Sequence, residues 1–272
     1  PIYSYAVCKL ETDRGIEGIG LAFTLGKGNE LVCQAIDYLV QHIVGREVHE
    51  LMQGFGKVSK TMADDPNLRW LGPHKGVVHL ALASVVNACF DLWAKAEGVP
   101  LWKWLIDLPS TEIVNTLELT YLEEVMTKDE AMAILDGAAL TKKERLGILK
   151  TGYRGYDTSI GWFNYGDEKV KENIQKAMDA GFEAMKLKVG SEDAQRDIRR
   201  ANLVRETAGD HATIMLDANQ QWTLPKAIDV CSELKNINPY WIEEPTHPDD
   251  VAAHVALAKA IAPVKLALGE HV

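Results

Sequence analysis

From about Lys169 onward, apolar residues recur first at helical and then at strand spacing. Val170, Ile174, Ala177 and Met178 line one helical face, Gly181 suits the position just past the helix end, and AMKLKVG (residues 184–190) follows as a strand. The pattern repeats. Ile198, Ala201 and Arg205 lead through Gly209 to TIMLD; Pro225 opens a helix with Ile228, Cys231 and Leu234 that leads to YWIEE; Ala252, Val255 and Lys259 lead through Pro263 to VKLALGE. Helix and strand alternating in this way predict right-handed crossovers and a parallel sheet, either doubly wound or closed into a barrel.

The first hundred residues read differently. Residues 3–10 and 16–24 predict two strands joined by the turn Asp13-Arg14-Gly15, and helical stretches follow around 29–44 and 77–97. This α+β segment is expected to form a separate domain over residues 1–110. The run TEIVNTLELTY (residues 111–121) reads as the first strand of a second domain spanning 111–272, with a polar helical insertion around 128–150. Trp93, Trp102 and Trp104 are expected to pack the first domain's core.

Composition narrows the class. With 272 residues, 47% hydrophobic and 25% charged, the chain is an ordinary globular one with enough apolar surface for a substantial core. A formal net charge of −10, without blocks of lysine or arginine, argues against nucleic acid or an anionic membrane as partner. No run reads as a membrane span, and the four scattered cysteines predict reduced thiols in a cytoplasmic or organellar interior. The chain starts at Pro1-Ile2-Tyr3 and halts at Val272 without a closing helix, so both ends are expected to be cut.

The candidate chemistry lies at the strand ends. In KLK, Lys186 and Lys188 point to one face of a strand whose other face carries Met185, Leu187 and Val189. Lys188, Asp217, Glu243 and Glu270 then recur at separations of 29, 26 and 27 positions, about the length of one unit in an eight-unit barrel. Any one of these residues alone reads as a helix cap, a surface ion pair or edge protection. Their recurrence in phase with the fold does not. Strand C-termini are where parallel α/β folds gather their active sites, so three carboxylates and two lysines are expected to converge on one mouth. Carboxylates so close need a shared cation, and a donor set of oxygens alone selects Mg²⁺ or Mn²⁺ over zinc. Cations nearby and partial burial would depress a lysine, making one of the pair a general base. Glu244, beside Glu243, points to the other face and is expected to be structural.

KLK, DANQQW, WIEEP and GEH at these separations resemble the mandelate racemase branch of the enolase superfamily, and NACFDLWAKAEGVPLW (residues 87–102) resembles that family's cap helix. Longer stretches, among them LRWLGPHKGVVHLA and DTSIGWFNYGDEK, resemble the acid-sugar dehydratase subgroup that includes L-fuconate dehydratase. The resemblance implies a (β/α)₇β TIM-like barrel under an N-terminal α+β capping domain, with only about the first five barrel strands present in this chain. It also implies that Asp217, Glu243 and Glu270 bind Mg²⁺, that Lys188 removes the α-proton, and that Lys186 sits beside the substrate carboxylate. Asn219 and Tyr3 match substrate contacts.

The activity implied is a hydro-lyase that takes an acid sugar through a metal-stabilised enediolate and eliminates the 3-hydroxyl to give a 2-keto-3-deoxy acid, with a small sugar acid as substrate and a homo-oligomer as the full-length form. Ile2, Thr120 and Asp157 depart from the subgroup pattern and bear on which sugar acid is taken. The Asp-His pair that supplies the family's second acid/base is expected beyond Val272, so the piece alone is expected to fold poorly and not to turn over. A racemase or cycloisomerase on the same site is the nearest alternative, and a catalytically silent, metal- or partner-binding relative is the second. A phospho-acceptor domain built on Asp217 and Lys188 would leave Glu243 and Glu270 without a role.

Overall fold

The first unit begins with an antiparallel hairpin, β1 (Ser4–Glu11) and β2 (Glu17–Thr24), in register from Ser4 opposite Thr24 to Glu11 opposite Glu17. Thr12 accepts the Ile16 N–H at the turn, and Gly15 takes the left-handed backbone (φ 73°) that the turn requires. Helices α1 (Asn29–Leu39), α2 (Val48–Gln53), α3 (Phe55–Ala63), α4 (Val77–Ala96), α5 (Leu101–Asp107), α6 (Ser110–Asn115), α7 (Lys128–Ala139) and α8 (Lys142–Leu149) follow. The structure, a computed structural model, describes residues 3–71 and 75–271, so Ile2 lies outside the described residues.

The hairpin lies directly on α4 because Gly18 and Gly20 have no side chains. A Cβ at either would collide with the α4 backbone, at the Ala88 and Ser84 carbonyls. Ser84, fully buried between them, accepts the Cys8 N–H at 3.0 Å and donates to the Gly20 carbonyl at 2.9 Å. Around this contact pack Leu39, Met52, Phe55, Met62, Val85 and Trp93. Trp104 meets Trp93 edge to face, as expected, but Trp102 is exposed and takes no part in the core. Helix α4 also corrects the expectation about membrane spans. Its 20 residues, with a mean hydropathy of 1.6, are long and apolar enough to cross a bilayer, and half of that stretch is buried in this unit.

The strand expected at 111–121 is not formed. Pro109 presets the entry into helix α6, and Thr120–Leu122 make a single 3₁₀ turn. The apolar residues that mimicked strand alternation, Val114 and Leu119, instead dock on Ala131 of α7. That helix starts at a capping box in which Thr127 and Glu130 satisfy each other's backbone N–H. The polar insertion is thus two helices, α7 and α8, and the compact units divide between Thr151 and Gly152 rather than near residue 110.

The second unit is a five-stranded, wholly parallel sheet: β3 (Asp157–Gly161), β4 (Ala184–Lys188), β5 (Thr213–Asp217), β6 (Trp241–Glu243) and β7 (Lys265–Ala267). Helices α9 (Asp167–Asp179), α10 (Ala194–Ala208), α11 (Leu224–Glu233) and α12 (Val251–Ile261) connect consecutive strands. Strand order follows chain order without a reversal. A doubly wound sheet must reverse, so uninterrupted order marks a barrel-type domain with every crossover helix on one side.

Met185, Leu187, Ile214, Leu216 and Ile242 face Val170, Ile174, Ala201, Val204, Val230 and Leu257 in a continuous core. The helix ends follow the expected punctuation. Gly181 (φ 86°) and Gly209 (φ 81°) take the left-handed turns after α9 and α10, and Pro225 lies in the first turn of α11.

Candidate functional site

Three of the charged positions close their strands. Lys188 is the last residue of β4, Asp217 of β5 and Glu243 of β6, and the sheet register places Lys188 opposite Asp217 and Asp217 opposite Glu243. Parallel pairing at this register puts the three side chains on one face at one end of the sheet, joined by Lys186 two residues back on the same face.

They form one ionic network. The Lys186 ammonium lies 2.5 Å from Glu243 Oε1 and 3.2 Å from Asp217 Oδ2, and Lys188 donates to the same Asp217 oxygen at 2.5 Å. Asp217 is 1% exposed and Lys186 9% by side chain, so water screens little of this. Burial works to raise the Asp217 carboxyl, but the Lys188 hydrogen bond and both ammonium charges outweigh it and hold it below the usual range. Burial likewise works to lower Lys186. The Glu243 hydrogen bond and the two carboxylates prevail, so Lys186 stands above an ordinary lysine, not depressed as expected. The cations expected beside it are fewer than the anions that surround it.

Aromatic rings wall the lysines. Lys186 lies 5.7 Å over the Tyr156 ring and Lys188 5.5 Å over that of Trp162. Trp241, two residues before Glu243 on the same strand face, donates its indole N–H to Glu243 Oε2 at 3.0 Å and meets Tyr156 edge to face. The charges at the strand ends do not single out these three rings. The i, i+2 spacing of Trp241 and Glu243 was the available signal.

Glu270 is placed differently from its expectation. Strand β7 stops at Ala267, the chain turns at Gly269 (φ 148°), and Glu270 is exposed. Glu244 controls this turn. It is 2% exposed, faces away from Glu243, and accepts the Gly269 and Glu270 N–H groups at 2.7 and 2.9 Å and the Gln220 amide at 3.1 Å. Gln220 also meets the His271 ring. Among the described residues, no three His, Cys, Asp or Glu side chains stand close enough together to hold a metal ion.

Asn219 adopts a left-handed backbone (φ 45°), and its N–H donates to Asp217 Oδ1 at 3.0 Å. Tyr3 belongs to the first unit, half exposed beside Phe23. Thr120 Oγ1 accepts from Lys60, and Asp157 Oδ1 accepts from both the backbone and the hydroxyl of Ser159.

The donor chemistry fits a hard divalent cation. Asp217 and Glu243 offer carboxylate oxygens from neighbouring strands, and both are already turned onto one cationic group, the Lys186 ammonium. That ammonium stands in for a shared positive charge.

Residues 3–106 match the mandelate racemase/muconate lactonizing enzyme N-terminal domain, and residues 169–272 match the enolase C-terminal domain-like model. The chain is similar to mitochondrial enolase superfamily member 1 of Bos taurus, at 44% identity over 99% of this chain and 62% of that protein. It is also similar to L-galactonate dehydratase of Hypocrea jecorina, at 39% over 98% of this chain and 61% of that protein. The crystal structure of human mitochondrial enolase superfamily member 1 superposes with a TM-score of 0.92 at 40% identity, over 98% of this chain and 61% of that one. The chain therefore spans about three fifths of the length of these relatives. With both domain models matched in order along it, the chain belongs to the mandelate racemase and muconate lactonizing enzyme family of the enolase superfamily.

Proposed function

We propose that this chain carries the proton-abstracting half of a hydro-lyase that dehydrates a sugar acid, with L-fuconate as the foremost substrate. The observation that supports it is the in-register row of Lys188, Asp217 and Glu243 at three successive strand ends, with Lys186 on the same face. The similarity to an L-galactonate dehydratase points to the same reaction type.

In this reading Asp217 and Glu243 would hold Mg²⁺ together with Glu270, whose exposed carboxylate stands beyond the end of β7 and outside their ionic network. The ion, when bound, supplies Lewis acidity that makes the proton beside a substrate carboxylate easier to remove. Lys188 takes that proton at Nζ as a neutral amine, after the ammonium now hydrogen-bonded to Asp217 has given up one proton to solvent, and Trp162 shields the amine from water on one side. Lys186 supplies an ammonium on the same face, which steadies negative charge growing on the substrate carboxylate. Asn219 and Tyr3 are assigned to substrate contact. Departure of the 3-hydroxyl needs a second acid besides Lys188. The reducing compartment is cytoplasmic or, as the names of the animal relatives indicate, mitochondrial.

The test is incubation of the protein, extended to its relatives' full length, with Mg²⁺ and a panel of six-carbon sugar acids, L-fuconate and L-galactonate included. Formation of 2-keto-3-deoxy acid is followed by semicarbazone absorbance, and α-proton exchange by NMR in D₂O. Dehydration of at least one acid, abolished in K188A, is expected. Exchange without water loss would favour the racemase or cycloisomerase reading, and neither signal with any acid would refute the proposal.

A further inference from the structure

Helix α10 buries two charged residues that the proposed chemistry does not use. Arg200 and Asp197 are both 0% exposed and stand one turn apart on the face that meets the sheet. Burying a guanidinium is costly unless its donors are well used. Arg200 directs them at backbone. Its Nη2 donates to the Trp162 carbonyl at 2.7 Å and its Nη1 to the Lys188 carbonyl at 3.3 Å. Asp197 Oδ2 accepts the Gly190 and Ser191 N–H groups at 2.8 and 2.7 Å.

The glycines around this clamp fit it. A Cβ on Gly161 would collide with Leu187 Cδ1 at 2.3 Å and stand 3.2 Å from Arg200 Nη2, and a Cβ on Gly190 would meet the Ala218 carbonyl at 2.5 Å. One helix therefore grips the ends of β3 and β4 at the two residues whose side chains face each other, the Lys188 ammonium and the Trp162 ring.

We infer that Arg200 is a positioning residue that fixes Lys188 over Trp162 by holding both backbones, with Asp197 anchoring the chain just beyond. This rests on the reading of Lys188 as the base. A planar guanidinium serves two separate carbonyls with donors in a rigid fork, which a single ammonium lacks. Loss of the fork frees both strand ends without touching the carboxylates.

The experiment uses the full chain labelled with ¹³C at lysine Cε. In wild type the Lys188 methylene protons, assigned by their loss in K188R, should be displaced upfield by the Trp162 ring, whose centroid lies 5.5 Å from Lys188 Nζ. R200M is expected to lose that displacement. R205M is the control, because Arg205 on the same helix donates to the carbonyls of Gly209, Ala212 and Ile237, far along the chain from β4's end. It should lower the melting temperature and leave the lysine signal in place.

A wild-type displacement in R200M, or an equal loss in R205M, overturns the inference. Should R200M fail to fold, R200K decides: displacement falls if the fork matters and stays at the wild-type value if it does not. In enzyme assays R200M should lose about 100-fold in kcat with KM little changed, the size expected for misplacing a reacting group by about 1 Å. If no sugar acid is dehydrated even by wild type, the functional reading fails while the NMR result still judges the clamp.

Discussion

Lys186→Met tests whether an ammonium occupies the place of a metal. In wild type the Lys186 nitrogen bridges Glu243 at 2.5 Å and Asp217 at 3.2 Å, with side-chain exposures of 9% for the lysine, 1% for Asp217 and 20% for Glu243. Removing one partner of a buried ion pair costs about 3–5 kcal/mol, because the remaining charge is left uncompensated. Here Lys188 still reaches Asp217 at 2.5 Å, so one carboxylate keeps a partner and the loss falls to the lower end, about 3 kcal/mol.

Magnesium should reverse the effect unequally. A ligand at about 100 times its Kd adds about 2.7 kcal/mol to the folded state. In wild type part of that gain goes into displacing the ammonium, whereas in K186M it does not. Urea denaturation followed by tryptophan fluorescence, in EDTA and in Mg²⁺, measures both quantities. The expected result is a variant less stable than wild type in EDTA that gains more from Mg²⁺ at the same concentration. A variant within about 0.5 kcal/mol of wild type in EDTA, or an equal magnesium increment in both proteins, would show that Lys186 neither compensates these carboxylates nor competes for their site.

Two further outcomes follow from the first unit. Ser84→Ala removes a buried hydroxyl that bonds both the Cys8 N–H and the Gly20 carbonyl, which still face each other across the β1–β2 ladder, so chemical denaturation should register a loss of about 1–2 kcal/mol, and no measurable loss would contradict the hydrogen bonds described. His49 is hydrogen-bonded to Glu47 and Glu97, and these two contacts raise its value above that of an ordinary histidine. The clip's contribution is therefore complete below the ordinary histidine range and fades as pH rises through the raised value. With the ring half exposed it stays well under 1 kcal/mol. Stability against pH for H49A should lack that decline, and an identical slope in both proteins would refute the clip.

Much of the second unit was legible because its signals are periodic. The helix and strand spacings, Gly181, Gly209 and Pro225 each match the element they predicted, and the charges that end β4, β5 and β6 mark the register that brings Lys188, Asp217 and Glu243 into one row. The failures are local. Residues 111–121 carry a strand-like alternation whose apolar members turn out to face a neighbouring helix, a tertiary contact that no local pattern announces. Glu270 was read as a strand end because nothing in VKLALGE marks where pairing stops. The stop depends on Glu244, whose carboxylate collects the amides of the following turn. Asp197 and Arg200 were hidden for the opposite reason: on the surface of a polar helix they resemble ordinary solvated charges, and only the packed sheet shows that they face inward.

Glu243 and Glu244 are chemically alike and spatially opposed, one turned to ammonium groups and its neighbour to main-chain amides. Homologous acids side by side thus leave a three-residue strand with no tolerance for misalignment. A single-residue insertion in residues 238–240 would carry Glu243 to the opposite face and set Ile242 in its place toward the ammonium groups, driving it out of the apolar layer. Length in that short connection should accordingly be far harder to vary by engineering than identity at any one of its positions.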